Sequence, residues 1–532
     1  MKNFNEMVSN FVNTNSAMKY PRGMRAKSNF LDDAPFINAM KQQNNYTLTE
    51  NGGITHKTTN SALLDMFGMG GAMRNRSEED IILMFKKAYT ENPVYALKCL
   101  FYLRDARGGQ GERRFFRTCL KWLVKNDTNA ILRNLEEIPT YGRYDDLFVL
   151  FDTPAEEAML KFVQGQLTMD ITSAQKASGA VSLIAKWMPS SNASSKDTRT
   201  LANRFIKYFN LTPREYRKML SCLRKRINVL ERLMSANEWD KIDFSGIPSR
   251  AGLIYRESFK RHEGERYAAF VGDKHTKVNA KVLNPVDIAH QIFTRYGADN
   301  VDRAAWDKAW SCLPDYYQGK EEPGIAIVDV SGSMSGVPME AAVSMGAYIA
   351  ERGKGPFRNH FITFSSNPEL VEFEGVDLYD KFRRAQNADW GGSTNIEAAF
   401  NLILNTARKA HVRPQDMPKT LYIFSDMEFD SCVSCGPVTY DRWSSGRRLD
   451  SENAINTVIE AQMRKWRQYG YTTPRVIFWN LDARQSNIPA IGDKFSYVSG
   501  FSMNMVEQIL SGEDGYSLMM KKLDSPRYAP IH

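Results

Sequence analysis

The stretch Gly324-Ile325-Ala326-Ile327-Val328-Asp329-Val330-Ser331-Gly332-Ser333-Met334-Ser335-Gly336 decides how this chain is read. Its apolar run, 325–330, predicts a buried parallel strand. The run ends in an Asp-x-Ser-x-Ser loop, and a helical pattern follows over residues 338–352. Ligands of open α/β sheets bind beyond the carboxyl ends of the strands, so this loop falls where a site is expected. Asp329, Ser331 and Ser333 offer one carboxylate and two hydroxyls from a single turn. Such oxygens suit a hard divalent cation and leave positions for water and an outside ligand. The same residue types also cap helices well, which is the structural reading of the loop.

Two later stretches supply further oxygens. Trp390-Gly391-Gly392-Ser393-Thr394-Asn395 is a glycine turn that places a hydroxyl before an amphipathic pattern over 396–407, and Leu421-Tyr422-Ile423-Phe424-Ser425-Asp426 is a second buried-strand run ending in Ser-Asp. Together Asp329, Ser331, Ser333, Thr394 and Asp426 resemble the metal-ion-dependent adhesion site of von Willebrand factor A domains. The resemblance implies ligation by Asp329, Ser331, Ser333 and Thr394, with Asp426 acting directly or through water, and magnesium as the expected ion. Strands and helices alternate through the rest of this part, with strands expected at 359–364, 370–373, 419–425, 475–481 and 495–498, as a doubly wound domain requires. Right-handed crossovers then bring Asp329, Thr394 and Asp426 to one edge.

The chain has 532 residues, enough for two or more domains, with the composition of an ordinary globular protein: 42% hydrophobic and 25% charged. No apolar run is long enough to span a bilayer and the first residues lack a signal-peptide core, so a cytoplasmic location without membrane contact is expected. Six cysteines in so long a chain do not look like a disulfide framework, and Cys432-x-x-Cys435 lacks the second pair or histidine that a zinc site needs. The net charge of +9 is unevenly spread. Residues 1–320 carry 48 Lys and Arg against 35 Asp and Glu, whereas residues 321–532 carry 22 against 26. A polyanionic partner for the first part is one implication, and solubility the bland one.

Residues 1–45 are polar and weakly patterned, an arm with little core of its own. Helical signals then become dense: Ser77-Glu78-Glu79-Asp80 opens one helix, Asn92-Pro93 another and Gly111 a third. Successive helices with short connections predict antiparallel hairpins stacked in an arc or ring over residues 46–318. The breaker-rich stretch from Pro314 to Gly324 marks the boundary with the second domain, 324–532. Two features of the helical part carry positive charge. Arg104-Asp105-Ala106-Arg107-Gly108-Gly109-Gln110-Gly111-Glu112-Arg113-Arg114 is a glycine-rich loop whose Arg104, Arg107, Arg113 and Arg114 could clamp a phosphate, or else pair internally with Asp105 and Glu112. Thr212-Pro213-Arg214-Glu215 is a capping box opening a helix with one apolar face, the other carrying Arg214, Arg217, Lys218, Arg224 and Lys225. That face suits contacts to a nucleic-acid backbone, though a solvated basic face is the commoner explanation. Trp187 and Trp239 are expected in the core.

The order of these features resembles the Ro ribonucleoprotein family, a TROVE-type ring of HEAT-like helical repeats followed by a von Willebrand A domain. The matching stretches are Thr49-Glu50-Asn51-Gly52 with Ala62-Leu63-Leu64-Asp65-Met66-Phe67, then Arg104-Asp105-x-Arg107-Gly108-Gly109-x-Gly111-Glu112-Arg113, Tyr141-Gly142-Arg143 and the metal triad. A related TROVE-like branch found in viruses and plants also resembles it, through Ala185-Lys186-Trp187-x-Pro189 and Ile247-Pro248-Ser249. The resemblance implies a scaffold for small noncoding or misfolded RNA. The alternative is a scaffold whose metal captures a protein carboxylate without RNA. An enzyme is not expected, since none of the seven histidines sits in a nucleophile or metal-ligand pattern; magnesium-dependent phosphoester cleavage is the version to test.

Overall fold

The structure, a computed structural model, describes residues 45–532 apart from 177–178, 228, 281, 296, 319–322, 365–366, 388–391, 432–437, 441–446 and 450–455. The expected arm, the Cys432/Cys435 pair, and Trp390 and Gly391 lie outside the described residues. The described chain opens with an antiparallel hairpin, β1 (Tyr46–Leu48) and β2 (Ile54–His56). Helices follow: α1 (Ala62–Met69), α2 (Glu78–Glu91), α3 (Pro93–Arg104), α4 (Arg113–Asn126), α5 (Glu156–Ala174), α6 (Lys196–Phe209), α7 (Pro213–Arg226), α8 (Arg256–Gly272), α9 (Pro285–Phe293) and α10 (Asn300–Ser311).

Local chemistry sets where these helices begin. The Ser77 hydroxyl accepts from Asp80 N, Asn92 caps α3 with Pro93 in its first turn, and Glu112 caps α4, which begins at Arg113, two residues after the expected start at Gly111. Thr212 and Glu215 form the reciprocal capping box predicted for α7. Neighbouring helices pack in sequence, α1 on α2, α2 on α3 and α4, and α7 on α5 and α6.

After α10, past the stretch between Pro314 and Gly324, the helices give way to alternating strands and helices. The second part contains β3 (Gly324–Asp329), α11 (Val337–Arg352), β4 (His360–Phe364), β5 (Glu369–Glu372), α12 (Leu378–Ala385), α13 (Ile396–Lys409), β6 (Thr420–Ser425), α14 (Val458–Gln468), β7 (Arg475–Asn480), β8 (Phe495–Ser499) and α15 (Gly515–Leu523). Six strands form one sheet in the order β8-β7-β6-β3-β4-β5, parallel except for β5, which runs antiparallel to β4. In order of appearance within this part, that is 3-2-1-4-5-6 read from the β5 edge. The strand order therefore reverses between β3 and β6, the switch point where doubly wound sheets hold their ligands.

The two parts are not separately packed. Residues 46–532 form one compact unit, and a continuous apolar core runs from α1 to α15. Ala341 to Ala350 of α11 are all buried because β3 covers one side of that helix and α9 the other. This is why α11 is apolar nearly all round. At the far edge α1 lies on β8. A Cβ on Gly68 would stand 2.7 Å from Tyr497 Cβ, and one on Gly71 would stand 2.8 Å from Ser499 O. The glycines of the Gly68-Met69-Gly70-Gly71 run thus allow a helix to approach an edge strand.

The last residues return to the first helices. Arg527 Nη2 donates to Asp105 Oδ1 at 2.7 Å, its Nε also pairs with Asp105, and Tyr528 Oη donates to the same carboxylate at 3.0 Å.

Candidate functional site

The loop after β3 and the loop after β6 meet at the switch point. Ser331 N donates to Asp329 Oδ1 at 3.0 Å, and Ser425 Oγ donates to Asp329 Oδ2 at 2.6 Å. Ser331 Oγ lies 3.0 Å from Ser333 Oγ, whose hydroxyl helps to lower the Asp426 carboxyl, and Ser425 Oγ also reaches Asp426 Oδ1 at 3.5 Å. Glu428 N donates to Asp426 Oδ1 at 3.0 Å. Thr394, at the turn leading into α13, donates to Asp430 Oδ1 at 3.0 Å and accepts from Asn51 Nδ2 at 2.6 Å. The same Asn51 nitrogen donates to Glu428 O at 2.6 Å. One hydrogen-bonded network therefore joins all five sequence-predicted residues, with Thr394 connected through Asn51.

Electrostatically the site is short of positive charge. Burial, and then the charge of Asp426, push the Asp329 carboxyl up to about 7. Burial likewise raises Asp426, against the lowering effects of the Glu428 amide, the Ser333 hydroxyl and Arg484. Asp426 Oδ2 is buried and no hydrogen-bond donor among the described residues is aligned with it; Arg484 Nη2 lies 3.3 Å away as an ion-pair partner. Two apposed carboxylates, three hydroxyls and one orphaned oxygen fit a hard cation, whose charge would relieve both acids. Among the described residues no cluster of three His, Cys, Asp or Glu forms a metal site, so any ion here would depend on the hydroxyls.

Sequence reasoning passed over several members of this site. The turn Thr49-Glu50-Asn51-Gly52-Gly53, between β1 and β2, lies against residues 428–430: Thr49 Oγ1 donates to Phe429 O at 2.6 Å and Gly52 bridges to Asp430. Glu50 N donates to Glu428 Oε2 at 2.8 Å, and the Glu50 carboxylate pairs with Arg484 at 2.7 Å. Asn487 Nδ2 holds the other Glu428 oxygen at 2.7 Å. The Thr49-Glu50-Asn51-Gly52 stretch was visible as a motif, yet nothing in one sequence says that it reaches across to Thr394.

The candidate phosphate loop has a different role. Arg104 is buried and paired with Asp146 at 2.7 Å, which removes it from contact with any outside phosphate. Arg114 donates to the carbonyls of Arg74 and Arg76. Arg107 donates to Thr140 O at 3.2 Å while remaining exposed, and Arg113 is exposed with Asp145 at 4.0 Å. The internal partners are Asp145 and Asp146, not the expected Asp105 and Glu112; Asp105 takes Arg527 instead. A Cβ on Gly109 would stand 1.8 Å from Tyr102 O, so glycine serves the tightness of the turn.

The basic helix divides. Arg214, Arg217, Lys218 and Lys225 of α7 are exposed, and among the described residues none has a carboxylate partner. Arg224 does not belong with them: it is half-buried, and its guanidinium donates to Ala185 O, Met188 O and Ser190 Oγ at 2.8–2.9 Å. Trp187 and Trp239 also depart from expectation. Both are half-buried, Trp187 under Arg143 at 3.9 Å and Trp239 stacked on His262 at 4.0 Å.

Comparison with known proteins adds kinship. The chain is 32% identical over 512 residues to a protein of Acanthamoeba polyphaga mimivirus described as uncharacterized, covering 88% of this chain and 85% of that one. The chain belongs to the family of that viral protein. Within the family frame, the domain of unknown function DUF2828 matches residues 49–150 and 202–312, and the domain of unknown function DUF7788 matches 323–524. The junction between the two matches falls at the change from helices to sheet. Among solved structures, the Ro protein of Deinococcus radiodurans is similar at a TM-score of 0.34 and 11% identity, covering 87% of this chain and 92% of that one. No helix among the described residues is long and apolar enough to cross a membrane.

Proposed function

We propose that this protein is an RNA-binding scaffold in which the exposed face of α7 holds the polynucleotide backbone and the switch-point site of the α/β part holds a divalent cation, magnesium in the first instance. The observation that carries the RNA reading is the set of unpaired cations on α7. Arg214, Lys218 and Lys225 project charge that no carboxylate of the described chain neutralises. Such a face gains affinity from counterion release. The resemblance to the Ro family in the motifs of the helical part points the same way.

The residues that would hold the cation are Asp329, Ser331, Ser333, Thr394 and Asp426. A bound ion would supply a fixed positive charge between two carboxylates and a point of attachment for an oxygen ligand. Asn51 and Glu50 crowd that point, since the turn that carries them already bonds Thr394, Glu428 and Arg484. The proposal is therefore one of binding rather than catalysis, and the capture of an outside carboxylate would require the turn to move.

The test is fluorescence anisotropy of labelled single-stranded RNA titrated with the full chain across a salt series. Neutralising Arg214, Lys218 and Lys225 to Gln should lower the slope of log affinity against log salt by about 2, three contacts at roughly 0.7 each. An unchanged slope removes α7 from the interface, and no salt-dependent binding by the native chain removes RNA from the account.

A further inference from the structure

A cavity of ≈ 530 Å³ opens beside the inner edge of α7, away from Arg214, Lys218 and Lys225, between that helix, residues 186–192 and residues 229–232. Its volume lies within the range of small-molecule sites. Four cations line it, Lys186, Arg217, Arg224 and Arg232, against a single carboxylate, Glu231.

The charge is poorly compensated from within. Among the described residues Lys186, Arg217 and Arg224 have no carboxylate partner, and the Arg217 guanidinium makes a long hydrogen bond to Ser191 Oγ at 3.5 Å. Arg224 is fixed by two carbonyls and a hydroxyl, all neutral, so its position is determined while its charge remains available. Three of its five N–H groups are engaged and two are left over. Arg232 Nε and Glu231 Oε2 are buried and have no hydrogen-bond partner among the described residues, although each residue keeps a long contact through another atom, with Glu238 and Tyr255. Hydroxyls from Ser190 and Ser221 complete the wall.

We propose that this cavity binds a phosphomonoester carried on a nucleoside. A carboxylate ligand would satisfy one guanidinium and leave the rest in surplus. A phosphomonoester brings close to two negative charges and three acceptor oxygens, matching the several convergent cations and the serine hydroxyls. Glu231 then offers an acceptor to a sugar hydroxyl or a base amine. Two sources share this chemistry, a free nucleotide and the phosphorylated end of a polynucleotide. The site goes beyond the backbone contacts assigned to the outer face of α7 and stands without them, because it shares no tested residue with them.

The experiment is equilibrium titration of the full chain at low salt with four probes: adenosine monophosphate, adenosine, a short RNA bearing a 5′-phosphate and the same RNA with a 5′-hydroxyl. The phosphorylated member of at least one pair should bind at least about tenfold more tightly than its partner. Lys186→Gln combined with Arg217→Gln, both side chains free of carbonyl contacts, should remove that difference while leaving the melting temperature in place. Ser221→Asp, which puts a carboxylate at the exposed rim, should do the same. Discrimination confined to the RNA pair identifies the source as a chain end, and confined to the nucleotide pair as the free ligand. Equal binding within both pairs, or discrimination that survives both variants, overturns the proposal. Persistence of that discrimination in the Arg214/Lys218/Lys225 variant would separate this cavity from the α7 face.

Discussion

Replacing Arg527 by Met should release the end of the chain from the first helices. Asp105 is 0% exposed and receives two guanidinium N–H groups from Arg527, the Tyr528 hydroxyl, and the Arg107 amide at 2.9 Å. Removing one partner of a buried ion pair costs about 3–5 kcal/mol. Arg527 is 38% exposed, so water can recover part of that loss, and about 2–3 kcal/mol is expected. Expressed as local opening, 2.7 kcal/mol is about a hundredfold. Hydrogen exchange followed by mass spectrometry should show peptides covering 524–532 and 104–114 exchanging up to about a hundredfold faster, while peptides from β3 and β6 stay unchanged. Asp105→Asn should give a similar loss, and the double variant little more than either alone, because the two residues share one interaction. Native rates in Arg527→Met would refute the idea that this pair anchors the tail. Protection of 104–114 by added inorganic phosphate in the native chain would restore the phosphate-cradle reading of the glycine loop.

Three further outcomes are open to measurement. Gly109→Ala should cost more than about 3 kcal/mol, because its Cβ would overlap Tyr102 O, whereas Gly111→Ala, with φ of +69° and its nearest neighbour, Ala106 Cα, at an ordinary 3.8 Å, should cost about 1 kcal/mol; soluble yield and melting temperature report both. Magnesium at a hundred times its dissociation constant should stabilise the native chain by about 2.7 kcal/mol in a thermal shift against chelator. Asp426→Asn should lose that stabilisation yet melt higher than the native chain in chelator, since one of two apposed buried carboxylates is gone. Burial pushes the Lys522 ammonium down to about 8, and its unfolded value is 10.5. At this group the unfolded chain holds more protons between those values, so Lys522 by itself contributes a rise in stability of about 3 kcal/mol across pH 8 to 10.5, opposed above pH 9 by the Cys99 and Cys119 thiols, which burial raises. Lys522→Met should flatten that rise in denaturant titrations.

The sheet was legible because five of its six strands are short apolar runs buried on both faces and bounded by turns, β5 at the edge being mostly exposed, and the order of motifs follows from right-handed crossovers. Helix starts were legible where a cap supplied the signal, as at Ser77, Asn92 and Thr212. That Asp329, Ser331, Ser333 and Asp426 are neighbours was legible because the loops that hold them sit directly after strands. Asn51, Glu50 and Arg484 could not, because they approach the site from more than 50 residues away in sequence and carry no local pattern. The arginine-rich loop misled for a related reason. Local composition shows charge, but the carboxylates that neutralise it, Asp145 and Asp146, and the distant Arg527 that occupies Asp105, are fixed only by the tertiary fold.

The interlacing of the two parts also bears on how the molecule is made. The turn that closes over the switch point belongs to the first residues of the described chain, and the carboxylate that fastens the tail, Asp105, caps the end of the third helix. During synthesis the helices emerge tens of seconds ahead of the segment that completes them, at about 5–20 residues per second. Until Arg527 leaves the ribosome, Asp105 remains a solvated acid beside an unfinished groove, and until β6 is in place Asn51 has nothing to grip. Maturation is thus a closing step performed by the whole polypeptide, and fragments cut at the helix-to-sheet junction should be recovered as chaperone clients rather than as working halves.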